Sequence, residues 1–302
     1  PTPHPDPMKL RIGVGLGPRD PADPATFGEL VRLMEHIGVD SLWLPDLVGG
    51  DLPDPLVGIG YAAGHTRRLK LGSGVTVLPG RNPVAVAKEL ATLAALAPGR
   101  ILPVFGVRHA TARERPLFPI PGPRGEVMDE ALTVVRLLLE NDDVSFEGKY
   151  HRCEHARVGP RPTRPLDLWL GGSGPKSLRR VGRLADGWLG AALTPDEAGA
   201  ARRTIEAAAA EAGRTVDDDH YGMSLVVAFD GMPGHEFGAL RRQRPDVDVA
   251  ELVPTGWAAT RELIGRYAEA GVSKFVVRPA GTPRSWTAFL TEFAAELLPL
   301  ET

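Results

Sequence analysis

One cysteine, Cys153, is all the chain has, so no intrachain disulfide and no thiolate metal cluster can form. Such usage fits a reducing, cytoplasmic setting, and Cys153 itself, just after a pair of short strands, reads as a packing residue. No apolar run approaches the roughly 18 residues of a membrane-spanning helix, and Pro1 to Pro7 lacks the apolar core of a signal peptide. Neither sign of charge dominates: 35 Lys and Arg against 38 Asp and Glu leave a formal net charge of -3, without the basic block that nucleic-acid binding needs. Arg241-Arg242-Gln243-Arg244 is locally basic and reads as a solvated surface loop. The eight histidines include no His-x-His pair, and His151 and His155 read as exposed, which argues against a metal-dependent barrel hydrolase and for no metal site.

What the chain does have is alternation. In 302 residues, 43% of them hydrophobic, eight short apolar runs are separated by amphipathic stretches, the pattern of a parallel sheet covered by helices. The runs are Leu10 to Val14, Ser41 to Leu44, Leu69 to Val75, Ile101 to Phe105, Leu166 to Leu170, Gly187 to Gly190, Tyr221 to Ala228 and Lys274 to Val277. Helices start at Asp23-Pro24, Asn82-Pro83 and Thr194-Pro195, where a capping side chain precedes a proline. Others run from about Gly125 to Glu140, Thr255 to Ala270 and Ser285 to Leu297. Eight such units match an α/β fold of the (β/α)8 TIM-barrel type. A doubly wound open sheet is the rival, and its one hook is Gly13-Val14-Gly15-Leu16-Gly17. There the loop Pro18 to Pro24 intervenes before any helix, so the dinucleotide-binding geometry is missing and the glycines give room at a barrel mouth.

Residues 1–8 read as a flexible tail and residues 9–302 as a single barrel domain with two insertions. Val144 to His151 forms a β-hairpin ahead of the fifth strand. Arg108 to Arg124, directly after the fourth strand, is a pocket wall or a surface excursion.

The segment Trp169-Leu170-Gly171-Gly172-Ser173-Gly174-Pro175-Lys176-Ser177 carries more chemistry. A strand stops in glycines and passes straight into a helix with Leu178, Val181, Leu184 and Ala185 on one face. Free N–H groups at such a helix start favour an anion, and Lys176 adds a charge. A tight corner without a ligand accounts for the same residues. Other mouth candidates are Asp46, at the end of the second strand, and His109, past the fourth, whose ordinary pKa suits acid-base work. Arg278, at the end of the eighth strand, serves either an anionic group or an outward salt bridge. Trp188 reads as core.

The ordered blocks Arg124 to Ala131, Phe146-Glu147-Gly148-Lys149-Tyr150, Trp169 to Gly174 and Leu184-Ala185-Asp186-Gly187-Trp188 resemble the bacterial luciferase-like superfamily of flavin and deazaflavin oxidoreductases. Gly38 to Asp46, Leu71-Gly72-Ser73-Gly74-Val75 and Arg81-Asn82-Pro83 extend the likeness. The resemblance implies a (β/α)8 barrel, commonly a homodimer, that holds coenzyme F420 or, alternatively, FMN for a monooxygenase, and acts on a small organic substrate. It implies Gly171, Gly172, Ser173, Gly174 and Lys176 around the cofactor phosphate, and Asp46, Ser73, Gly74, Val75, Thr76 and Gly106 around the ring. A cis peptide or bulge is expected at Gly74-Val75. Asp46 and His109 would be catalytic, and Phe105 and Arg278 would face the substrate. Two departures stand out: Leu47 replaces the histidine that many deazaflavin members place after the aspartate, and Pro103-Val104-Phe105 replaces a glycine-rich strand end, so that Phe105 would narrow the pocket. A noncatalytic flavin-binding barrel is the alternative from another class.

Overall fold

The computed structural model describes residues 9–18, 20, 23–107, 113–229 and 237–302. The expected tail over residues 1–8 and the candidate His109 lie outside the described residues.

Eight barrel positions are filled by ten parallel strands, because two positions are split. They are β1 (Arg11–Gly15), β2 (Ser41–Leu44), β3 (Lys70–Ser73) with β4 (Thr76–Val77), and β5 (Ile101–Leu102) with β6 (Val104–Gly106). A hairpin of β7 (Val144–Glu147) and β8 (Arg152–Ala156) follows, then β9 (Trp169–Gly171), β10 (Gly187–Ala191), β11 (Tyr221–Val227) and β12 (Lys274–Pro279). β3 pairs with β5 and β4 with β6; β6 continues to β9, and β12 returns to β1, so the ring closes. The splits have local causes. Pro103 has no N–H to give the ladder, and the Ser73 hydroxyl lies 3.2 Å from the Val104 amide and 3.3 Å from its carbonyl oxygen, bonding both where the strand is interrupted. The other split is at Gly74-Val75, where the peptide is cis as expected.

Helices α1 (Pro24–Ile37), α2 (Pro55–His65), α3 (Pro83–Leu96), α4 (Arg124–Glu140), α5 (Pro175–Leu184) and α6 (Pro195–Glu211) cover the first part of the ring. After β11 come α7 (Gly238–Gln243), α8 (Val249–Leu252) and α9 (Gly256–Glu269), and α10 (Trp286–Leu297) closes the chain. Asp23, Asp54, Asn82 and Thr194 cap helices that begin with proline. α2 escapes the periodicity reading because Gly58, Gly60 and Gly64 interrupt it; tertiary packing sustains it, with Gly58 pressed on Leu44. The segment between β11 and α9 is a third insertion, beyond the two expected. It also corrects the reading of Arg241 to Arg244 as a loop: these residues end α7, and Arg244 pairs with Glu197 and Asp246.

Strand alternation divides the core in two. Ile12, Leu42, Phe105, Trp188, Tyr221 and Phe275 point outward into the layer beneath the helices. Trp43, Val104, Trp169, Leu189 and Val276 fill the barrel interior. The two interior tryptophans fit because glycines oppose them: a Cβ on Gly72 would lie 2.5 Å from the Trp43 ring, and one on Gly187 would lie 2.2 Å from the Trp169 ring. Below them, the Lys274 ammonium sits 5.1 Å from the Trp169 ring centre.

Three of the sequence blocks prove to be fastenings. The Glu130 carboxylate accepts backbone N–H bonds from Lys149, Tyr150 and His151 at 2.8 to 3.0 Å, clamping the hairpin to α4. Burial alone would raise the Glu130 pKa; those donors outweigh it and hold the carboxyl below its ordinary value. Asp186 accepts from the Leu168 amide, Arg136 and Arg214 at 2.8 to 3.0 Å, joining β9 to α4 and to the segment after α6. His151 is half-buried, not exposed as expected, because its backbone is drawn into the Glu130 clamp.

Candidate functional site at the barrel mouth

At the C-terminal end of the strands the interior residues become small. Gly15, Gly74, Gly106, Gly171, Ala191 and Ser224 replace the bulky side chains of the layer below, and a hollow opens where barrel enzymes place their chemistry. It has two adjoining compartments, each about 260 Å³. One lies between the ends of β1, β2, β3, β11 and β12, against Trp43, Leu47 and Gly74. The other lies under α7 and α8. Ser224 and Arg278 wall both.

The glycine turn follows β9 at the same end of the barrel and leads into α5. Gly172 has φ +119°, in the region that favours glycine, and a Cβ there would lie 3.0 Å from Ser177. Its carbonyl accepts a 2.8 Å hydrogen bond from Trp188 Nε1, so the core tryptophan also holds the turn. Among the described residues α5 has no side-chain cap, and the Ser173 and Gly174 amides donate to no backbone carbonyl of a turn or cap. Among the described residues nothing stands within 4 Å of where a Gly174 Cβ would be. Lys176 is exposed on the first turn of the helix. Amides without a partner among the described residues, set at a helix start, are the donors a phosphate cradle needs.

The cis bend shapes the other side. Val75 swings inward, and its methyls would lie 2.5 and 2.8 Å from Cβ atoms on Gly106 and Gly171. Those two glycines therefore make room for Val75, which stands over them. Just beyond, Thr76 Oγ1 is buried with no hydrogen-bond partner, an orphan polar group of the kind a bound ligand satisfies.

The remaining candidates fall in several places. Asp46 is buried, and its Oδ2 accepts from the Val77 amide at 2.9 Å and from Arg81 at 3.0 Å. Pro45 and Leu47 line the first compartment and Asp46 does not. Ser73 is engaged by Val104, as described above. Phe105 does not narrow the pocket: alternation puts Val104 on the inner face and turns Phe105 into the outer core, where it is fully buried. Arg278 lines the hollow as expected, with a buried partner that sequence reasoning missed. Asp20 feels the Arg278 charge, and burial pushes its carboxyl up against the lowering effects of the Gly17 amide, Thr282 and Arg278. The spacing Gly17 to Asp20 was the available signal. Of groups able to hold a cation, the described residues bring together Asp217, Asp219 and His220, which precede β11 at the opposite end of the barrel.

Residues 8–232 match the model of the luciferase-like monooxygenase family. The chain belongs to the luciferase-like monooxygenase family. Among other members, an F420-dependent glucose-6-phosphate dehydrogenase of Kineococcus radiotolerans is 27% identical, over 98% of this chain and 98% of its own length. An F420-dependent secondary alcohol dehydrogenase, solved with an F420-acetone adduct, shares the fold at TM-score 0.83 and 21% identity, covering 98% of this chain and all of its own. The oxygenating constituent of 3,6-diketocamphane monooxygenase from Pseudomonas putida, solved with FMN, shares it at TM-score 0.79 and 18% identity, over 98% and 99% of the two chains. The third-strand and fifth-strand blocks thus lie at the same end of a luciferase-like barrel. Among the described residues no helix is long and apolar enough to cross a membrane.

Proposed function

We propose that the chain is an oxidoreductase that moves hydride between coenzyme F420 and a small organic substrate at the barrel mouth. The observation that carries this reading is the glycine turn Gly171 to Gly174, which ends β9 on the mouth side of the barrel and opens α5 without a side-chain cap. The F420-dependent dehydrogenases that resemble the chain over nearly its whole length support the same cofactor. When bound, F420 supplies a carbon that takes up or gives hydride, while the protein supplies placement and electrostatics.

The residues divide the work. The amides of Ser173, Gly174 and Lys176 and the Lys176 ammonium hold the phosphate, with Gly172 fixed by Trp188. Gly74 and Val75 back the ring, and the Thr76 hydroxyl meets its polar edge. Asp46 acts as a positioning residue, locking Val77 and Arg81 behind the bend. Arg278, balanced by Asp20, faces the substrate. We assign proton transfer to His109, whose ordinary pKa suits acid-base work.

Titration with F420 and with FMN, followed by fluorescence, tests the reading. F420 is expected to bind more tightly; binding of FMN alone supports a monooxygenase, and binding of neither overturns both. We also propose that the protein works as a cytoplasmic homodimer joined through α2, whose Val57 and Tyr61 are exposed. Light scattering should give twice the 32.3 kDa chain mass, and Val57→Glu should yield the monomer.

A further inference from the structure

The compartment beneath α7 and α8 has a lining that bears on the substrate. Ala191, Val226, Phe237, Leu240, Leu252 and Val253 surround it, and its polar groups among the described residues are Ser224, Gln243 and Arg278. The chain places a strongly basic segment over this cavity and turns the charges away. Of Arg241-Arg242-Gln243-Arg244, only the uncharged Gln243 lines it. Arg241 and Arg242 are exposed to solvent, and Arg244 is held by Glu197 and Asp246. Among the described residues Arg278 is the cation that lines it, and it already acts on the Asp20 carboxyl. A phosphate dianion brought here would lose its water and meet one guanidinium whose charge is shared. A sugar ring would leave several hydroxyls against aliphatic walls, each without a partner. An apolar molecule loses nothing by entering, and one oxygen could bond Ser224, Gln243 or Arg278.

We infer that the substrate is an uncharged, mainly apolar alcohol or its carbonyl counterpart, and that this chain does not act on the glucose 6-phosphate named for its relatives. The inference rests on the reading of the mouth as an F420 site. Oxidation of such an alcohol removes hydride from the carbinol carbon and a proton from the hydroxyl, and the two together account for the two-electron reduction of F420. The reverse reaction returns both to the carbonyl.

The test uses the purified chain loaded with F420 and two probes, cyclohexanol and glucose 6-phosphate, each followed by calorimetry and by the fluorescence of the bound cofactor. Cyclohexanol is expected to bind, with glucose 6-phosphate weaker by about 100-fold, the scale on which unpaired polar groups reject a ligand. Leu240→Lys, at a half-buried position that tolerates the longer side chain, should weaken cyclohexanol and strengthen glucose 6-phosphate by about 10-fold each. Equal or tighter binding of glucose 6-phosphate to the unaltered chain overturns the inference and leaves the cofactor reading standing. So does a loaded protein that responds to neither probe. A chain that takes up no F420 overturns the functional reading, and this inference with it.

Discussion

The floor and the mouth of the barrel are built from the same eight positions by opposite choices of side-chain size. At the floor, Trp43 and Trp169 fill the interior, and Gly72 and Gly187 yield the space they need. At the mouth, glycine, alanine and serine face inward beside Val75 and Arg278, and a hollow remains. Glycine therefore means two things in one molecule. Below, it completes close packing; above, it leaves backbone amides open to a ligand. The polar groups follow the same division. Asp186 is fully occupied in holding elements together, whereas the orphan Thr76 hydroxyl lies by the mouth.

Trp169→Ala would break the comparison most severely. It empties the floor and should cost about 4 kcal/mol in urea unfolding; a loss below about 1 kcal/mol would mean that the floor is not close-packed. Glu130→Ala releases the hairpin from α4 and should cost about 2 kcal/mol, with cofactor affinity in the folded protein unchanged. Trp188→Phe keeps most of the core volume and removes the donor to Gly172. It should weaken F420 by about 5-fold, or about 1 kcal/mol, because the turn loses its anchor.

The smallest effect concerns the Lys274 ammonium. Burial foremost, with Lys70 adding, holds its pKa below the ordinary 10.5. The unfolded chain then binds the proton more tightly, so this residue lowers stability below its folded pKa, and stability climbs as pH rises from there to 10.5. Lys274→Met should remove that climb in urea titrations run at a series of pH values, and should leave F420 binding unchanged.

Most of the ring was legible in the sequence because parallel strands buried on both faces read as apolar runs, and proline after a capping residue marks helix starts. The glycine turn was legible for the same local reason: strand, glycines and helix follow one another without a gap. What could not be read depends on direction. Phe105 was expected in the pocket, and a one-residue alternation sends it to the outer core. Glu130 and Asp186 carried the family likeness but gave no hint that they fasten elements 18 to 50 residues away. The third insertion lacks a long apolar period, since α7 and α8 are only 6 and 4 residues long. Its basic residues suggested a surface loop, and the position of Gln243 among them is visible only in three dimensions.

Gly174→Asp tests the central claim most directly. Gly174 is the N-cap of α5, its φ of -76° suits any residue, and among the described residues nothing lies within 4 Å of the added Cβ. Aspartate is a preferred N-cap and glycine only slightly poorer, so the fold should hold or gain about 0.3 kcal/mol. Its carboxylate would also occupy the amides and repel a phosphate. F420 affinity should fall by about 100-fold, as an anion site loses its donors and gains a like charge, with the unfolding midpoint unchanged or higher. Undiminished F420 binding to a stably folded Gly174→Asp protein would show that the glycine turn is a corner and not the cofactor's phosphate site.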